Sequence, residues 1–193
     1  MFNLARKKII IFLFTALFLS SNSFCEDNYK DLKDKAYALY ATKNYNEAKV
    51  ILENLPAKEK NEEIFLLLAN IAQENNKDNL AIQYLNKALD YNHKYYKAYY
   101  NMGRILANRG SFMQAINNFE LAIENNKNFA PAYYNLGFCQ IKLKDYKNAR
   151  KNFAKSIELD STNKDAYYNL ALCYKNLGQE KAALKILELL NSN

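Results

Sequence analysis

From Tyr29 onward, apolar residues recur three and four apart in stretches separated by short polar breaks. This is the period of amphipathic helices that bury one face. Ala130–Leu143 and Tyr146–Leu159 form one predicted pair, with Lys144-Asp145 as the turn between them. Asn44, Ser111 and Asp145 stand where a second helix needs a side-chain acceptor for its free N–H groups, and Gly110 and Gly178 stand where a first helix ends. No alternating strand pattern competes. With 4 Gly and 2 Pro in 193 residues, the chain has too few for hairpins, sandwiches or a glycine-rich nucleotide loop.

The pairs are copies of one another. Tyr99-Tyr100-Asn101-Met102-Gly103 returns 34 residues later as Tyr133-Tyr134-Asn135-Leu136-Gly137, and 34 later again as Tyr167-Tyr168-Asn169-Leu170-Ala171. Five repeats follow, at about 29–61, 62–95, 96–129, 130–163 and 164–193. The fourth place holds Leu32, Phe65, Tyr99, Tyr133 and Tyr167, and the eighth holds Ala36, Ala69, Gly103, Gly137 and Ala171. The twentieth is Ala48, Ala81, Ala115, Ala149 and Ala183; the twenty-fourth is Leu52, Leu85, Phe119, Phe153 and Leu187. Small residues suit places where backbones approach, and bulky ones fill beside them. A unit this short cannot bury its own apolar face and must stack on its copies, so the expected function is binding rather than chemistry.

Over Tyr29 to the C-terminus the period, the aromatic and small places and the aligned alanines resemble the tetratricopeptide repeat. The resemblance implies an all-α, right-handed α-α solenoid of five tetratricopeptide helix pairs following an N-terminal signal segment. Two departures stand out. His93, Lys127 and Ser161 replace the proline the family carries near the end of the second helix, and Tyr, Phe or Leu replaces its Trp. Losing the prolines predicts less sharply defined helix exits. The first repeat is the least typical, with Lys35 where the others have Leu or Met and only 33 residues before the next begins. Atypical end repeats act as caps.

The resemblance further implies that places 2, 5, 6, 9, 12 and 13 of each first helix line a concave groove. Here these give ladders of Tyr100, Tyr134 and Tyr168 and of Asn101, Asn135 and Asn169, beside Arg104, Phe138 and Leu172, with Lys97, Ile141, Lys142 and Lys175 completing the groove. Tyrosine offers stiff contact area with a hydroxyl, and asparagine offers donor and acceptor together, which suits an extended or helical peptide. The competing reading is that the tyrosines pack between repeats and the asparagines belong to the repeat consensus. The carboxylate clamp of chaperone-binding members is absent. Its places read Lys33/Tyr37, Leu66/Asn70 and Tyr100/Arg104, then Lys97/Asn101 and Asp165/Asn169.

At the N-terminus, Arg6-Lys7-Lys8 precede an apolar run from Ile9 to Leu19, followed by Ser20-Ser21-Asn22-Ser23. This is the layout of a secretory signal over residues 1–23, with the solenoid from 24 to 193. The run is shorter than the roughly 18 to 20 residues that span a bilayer. Cleavage after Ser23 is one outcome; lipidation of Cys25 as in bacterial lipoproteins, although Phe24 rather than a small residue precedes it, is a second; a retained anchor is a third. Each places the repeats outside the cytoplasmic membrane, in the periplasm or cell envelope of a bacterial host, with membrane association through the lipid or anchor in the latter two.

The net charge of +7 falls to +4 without Arg6, Lys7 and Lys8, and the basic residues are scattered among acids without a run of five, arguing against nucleic acid. Cys139 and Cys173 occupy the same place of neighbouring first helices, too far apart for a disulfide, and are expected to be buried free thiols. The single histidine, His93, assembles no catalytic set, and no metal motif, cofactor loop or nucleophile arrangement is present, so neither enzyme activity nor a cofactor is expected. The last segment carries Ala183, Leu184, Ile186, Leu187, Leu189 and Leu190 without a polar capping helix, which points to a partner or self-association there. The expected function is an exported, non-enzymatic scaffold that binds an envelope protein or peptide. The alternative is a lipid-anchored accessory subunit of an envelope assembly or secretion complex.

Overall fold

The computed structural model describes residues 28–192, and the export signal, the cut after Ser23 and Cys25 lie outside the described residues. Among these residues there is no strand, and no helix is long and apolar enough to cross a membrane. Helix α1 covers 28–41, followed by α2 (Tyr45–Asn54), a 3-10 turn (Ala57–Glu59), α3 (Glu62–Glu74), α4 (Asp78–Tyr91), α5 (Tyr96–Asn108), α6 (Phe112–Asn125), α7 (Ala130–Lys142), α8 (Tyr146–Leu159), α9 (Lys164–Asn176) and α10 (Glu180–Ser192). Two compact bodies result, one ending at Ile64 and one beginning at Phe65.

In the first body Ala36, Ala48 and Leu52 are fully buried, and the rings of Tyr40 and Tyr45 meet across the α1–α2 turn at 5.5 Å. Pro56 opens the 3-10 turn, and Lys33 Nζ donates to Glu59 Oε2 at 2.7 Å, which holds the Glu59 carboxyl below its usual range. Asp31, Lys35 and Ala38, at places 3, 7 and 10 of α1, are exposed.

In the second body the helices from α4 onward pack each on the next, and the first helices α5, α7 and α9 also touch in series. In α7 and α9 the face that carries places 3, 7 and 10 lies on the second helix before it. Leu136 and Cys139 of α7 close over Ala115 and Phe119 of α6. Ala166, Leu170 and Cys173 of α9 close over Ala149 and Phe153 of α8. Cys139 and Cys173 are free and buried, and burial pushes both thiols up to about 11.

The turn inside every pair needs a left-handed residue at place 15. Lys43, Asn76, Gly110, Lys144 and Gly178 all have positive φ, from 55° to 76°. Glycine takes this conformation freely, whereas each lysine carries a cost of about 1 to 2 kcal/mol. Asn44, Ser111 and Asp145 all sit at helix N-caps, but the expected side-chain bond forms only at Asp145, whose Oδ1 accepts the Asn148 N–H at 3.2 Å. Asn44 instead donates its amide to Thr42 Oγ1 at 3.2 Å, and Ser111 makes no side-chain cap bond. Asn163, which the pattern does not single out, caps α9 by accepting the Ala166 N–H at 3.2 Å.

The exits of the second helices differ from expectation, because hydrogen bonds replace the missing prolines. Asn92, Asn126 and Asp160 accept the N–H two residues on, from Lys94, Asn128 and Thr162, at 3.0, 3.1 and 3.0 Å. These Asx turns bend the chain without proline. The hydroxyls of Tyr99 and Tyr133 then tie down the carbonyls of His93 and Lys127, at 3.1 and 3.2 Å.

Within a pair, place 8 abuts place 24. A Cβ added to Gly103 would lie 2.6 Å from the fully buried Phe119 ring, and one on Gly137 would lie 3.0 Å from Phe153. The repeats with Ala at place 8 carry the smaller Leu at place 24: Ala36 with Leu52, Ala69 with Leu85 and Ala171 with Leu187. Space is conserved by the pair rather than by either residue. Gly103→Ala is therefore expected to destabilise by about 1 to 3 kcal/mol through overpacking. Gly103→Ala combined with Phe119→Leu should recover most of that loss, since the double variant reproduces a pairing the fold already uses. Denaturant unfolding of both singles and the double measures the coupling; strict additivity would contradict the compensation.

Candidate functional site

At 100° per residue, places 2, 5, 6, 9, 12 and 13 span about 120° of a helix, centred about 130° round from the arc of places 3, 7 and 10 that packs on the preceding repeat. On α5, α7 and α9 these places therefore form one continuous face. Of the residues expected in the groove, Lys97, Arg104, Lys142, Tyr168, Leu172 and Lys175 are exposed, while Tyr100, Tyr134, Asn135, Phe138, Ile141 and Asn169 are half-buried. Asn101 departs from its expected role. It is buried, its amide donates to Lys97 O at 2.8 Å and its Oδ1 receives Arg104 Nη1 at 3.4 Å, so it is not open to a ligand.

The tyrosines are both packing residues and joints. The Tyr100 ring meets Phe119 at 5.9 Å and Phe129 edge-on at 4.9 Å, and the Tyr134 ring meets Phe153 edge-on at 5.6 Å. The Tyr100 hydroxyl accepts from Asn135 Nδ2 of the next repeat at 3.2 Å, and the Tyr134 hydroxyl accepts from Asn169 Nδ2 at 3.4 Å. Burial pushes both phenols above their usual value. At Tyr100 the Arg104 cation and the Asn135 bond pull the other way; at Tyr134 the Asp165 carboxylate adds to the rise and the Asn169 bond opposes it. Both hydroxyls therefore keep their protons at neutral pH.

The amide orientation follows from chemistry. Asn135 and Asn169 also bond the carbonyls of Pro131 and Asp165, at 2.8 and 2.9 Å, and a carbonyl can only accept. Each asparagine thus spends both amide protons inside the protein and offers a ligand only its Oδ1. Each of these two tyrosine hydroxyls, by contrast, accepts from asparagine and retains its own O–H to donate. The ladder is a row of tyrosine donors and asparagine acceptors rather than of amides acting as both.

Charge on this face is one-sided. Among the places that line it on α5, α7 and α9, Lys97, Arg104, Lys142 and Lys175 are cationic and Asp165 is the acid. Arg104 lies 5.9 Å from the Tyr100 ring centroid and Lys142 lies 4.9 Å from that of Phe138, so cations and rings alternate along the surface. At the last repeat the face runs into a cleft of about 460 Å³ between α9 and α10, lined by Tyr168, Ala171, Leu172, Lys175, Glu180, Ala183, Leu184 and Leu187. The groove places of the repeat include Tyr168, Leu172 and Lys175 of α9 but miss the α10 wall. The apolar run Ala183–Leu190 is its signal in the sequence.

The model of the tetratricopeptide repeat protein 21 C-terminal ARM domain matches residues 15–149, and a tetratricopeptide repeat model matches residues 141–193. The chain belongs to the tetratricopeptide repeat family. Its fold is shared by the crystal structure of MamA, 23% identical with a TM-score of 0.73 over 81% of this chain and 92% of that one. It is also shared by MamA from residue 41 to its end from Desulfovibrio magneticus RS-1, 17% identical with a TM-score of 0.73 over 85% of this chain and 93% of that one. MamA from AMB-1 is 17% identical with a TM-score of 0.69, over 86% of this chain and 92% of that one. At these identities the likeness is one of fold. No curated protein matches the chain.

The tyrosine–asparagine joints between tetratricopeptide repeats are long for N–H···O bonds and correspondingly weak. Tyr100→Phe keeps the ring and removes the hydroxyl, and is expected to cost about 0.5 to 1.5 kcal/mol in urea unfolding. Asn135→Ala should cost a similar amount, with the double variant costing less than the sum. A Tyr100→Phe variant more stable than the parent would show that the joint contributes nothing.

Proposed function

We propose that this tetratricopeptide protein is an exported, non-enzymatic scaffold that holds an acidic, extended segment of an envelope protein along the face of α5, α7 and α9. The observation that carries the reading is the combination of four cations against one acid with a donor–acceptor ladder of tyrosines and asparagines. A peptide backbone needs both partners: its carbonyls accept from the tyrosine hydroxyls and its N–H groups donate to asparagine Oδ1. Acidic side chains meet Lys97, Arg104, Lys142 and Lys175, and Phe138, Ile141 and Leu172 supply apolar contact. Export rests on the basic head, apolar run and small polar tail over residues 1–23.

Truncating the tyrosines to alanine is a poor test, because Tyr100 and Tyr134 support Phe119, Phe129 and Phe153. Charge reversal on the surface is cleaner. Labelled extended peptides of equal length, one set acidic and one basic, are expected to separate in fluorescence anisotropy with the acidic set binding. Arg104→Glu combined with Lys142→Glu should weaken that binding about tenfold or more, and added salt should weaken it in the parent. Equal binding of both sets, or an unaffected variant, would remove the reading.

A second reading is a lipid-anchored accessory subunit of an envelope assembly or secretion complex, favoured by Cys25 directly after the signal-like segment. Growth with a labelled fatty acid is expected to label the chain and to fail with Cys25→Ser if this holds. An unlabelled parent chain would leave cleavage or a retained anchor.

A further inference from the structure

The α9–α10 face is the place where repeat packing stops among the described residues. Ala48, Ala81, Ala115 and Ala149 have no exposed surface, nor have Leu52, Leu85, Phe119 and Phe153, yet their counterparts Ala183 and Leu187 are only half-buried. Around them Tyr168 is 55% exposed, Leu172 42% and Leu184 61%. Tyr100 and Tyr134 each receive an asparagine from the following repeat, whereas among the described residues nothing bonds the Tyr168 hydroxyl in this way.

We propose that this face is a two-fold interface between copies of the chain. The first helix of another copy, stacked head to tail as if it were a sixth repeat, is a poor occupant. Its packing places carry Asp31, Lys35 and Ala38, where α7 and α9 present Ala, Leu and Cys. Burying that aspartate and lysine on Ala183 and Leu187 would desolvate two charges against apolar atoms. The same face of a second copy carries no such penalty. The cleft is apolar along Ala171, Leu172, Ala183, Leu184 and Leu187, and bears one cation and one anion, Lys175 and Glu180. In an isologous contact, residue i of one copy meets residue j of the other and the reverse. A two-fold axis that sets Lys175 of one copy against Glu180 of its mate makes that pair twice, so the face can match itself in charge as well as in apolar surface.

The size of the contact sets its strength. Two helices of 13 residues, about 20 Å long and about 10 Å apart, offer a footprint on the order of 400 Å² per copy. The total of about 800 Å² is below the roughly 1,200 Å² of stable specific interfaces, which makes the dimer a weak one that exchanges and dissociates on dilution. Pairing covers Tyr168, Leu172 and Lys175 and leaves Lys97, Arg104 and Lys142 open, so the dimer shortens the ligand face without closing it.

The test uses full-length chains carrying two different tags, expressed together, cross-linked with formaldehyde before any dilution and captured through one tag. Parent chains are expected to co-capture each other. Leu184→Glu in both copies should reduce recovery at least tenfold; Leu184 is mostly exposed, and unchanged helical circular dichroism confirms that the variant is folded. Lys175→Glu copies should pair poorly with themselves, as should Glu180→Lys copies. A Lys175→Glu copy should recover a Glu180→Lys copy as well as parent recovers parent, because both cross-pairs then avoid the like-charge contacts that dominate each variant alone. The proposal is overturned if parent chains do not co-capture, if Leu184→Glu is recovered like the parent, or if the mixed charge variants recover no better than each alone.

Discussion

Each helix pair leaves the apolar side of its second helix bare until the first helix of the next pair lies on it, and the arrangement of the second body follows from this dependence. The contact is specific: alanine and a bulky residue at places 20 and 24 receive places 3, 7 and 10 of the following repeat, as Ala115 and Phe119 receive Leu136 and Cys139. It explains the alanines at 115 and 149, since any larger side chain there would hold the helices apart. Among the described residues, Ala183 and Leu187 keep half-exposed the places that Ala115, Ala149, Phe119 and Phe153 bury.

A second constraint lies inside the pair. Places 8 and 24 share one volume, filled as Gly with Phe or as Ala with Leu. Neither place is informative alone, because glycine within a helix costs about 1 kcal/mol relative to alanine. At Gly103 that cost is offset by a fully buried phenylalanine ring that tightens both the pair and its junction to the next. The exits of the pairs show a similar substitution of one device for another: Asx turns and tyrosine hydroxyls hold the bends that proline holds elsewhere in the family.

Helices, turns and repeat register were legible because they are periodic. The break at Lys144-Asp145 and the helix starts at Tyr96, Ala130 and Lys164 follow from the 34-residue echo alone. The cap at Asn163 was not, nor was the failure of Ser111 to close one, because capping depends on the orientation of a side chain rather than on residue type. The shared face of α5, α7 and α9 was legible as a set of helix places, whereas its hydrogen bonds were not. The spacing put Tyr100 and Asn135 on one face; it could not show that they bond each other, or that Pro131 O consumes the second amide proton of Asn135. Asn101 looks identical in the sequence and makes the same bond to the carbonyl four residues back, yet the fifth place of the repeat before it is Leu66, which offers no hydroxyl, and its Oδ1 is taken by Arg104.

The ladder also constrains the shape of what it can hold. Packed helices lie about 8 to 10 Å apart, and an extended chain advances about 3.3 Å per residue, so one repeat corresponds to about three residues of ligand. A β-strand alternates its faces every two residues and would show opposite sides to successive rungs. A polyproline II segment, with three residues and about 9.3 Å per turn, shows the same side to each. Every complete rung here presents one tyrosine donor and one asparagine acceptor in the same relation, so a ligand that satisfies consecutive rungs alike needs a three-residue period.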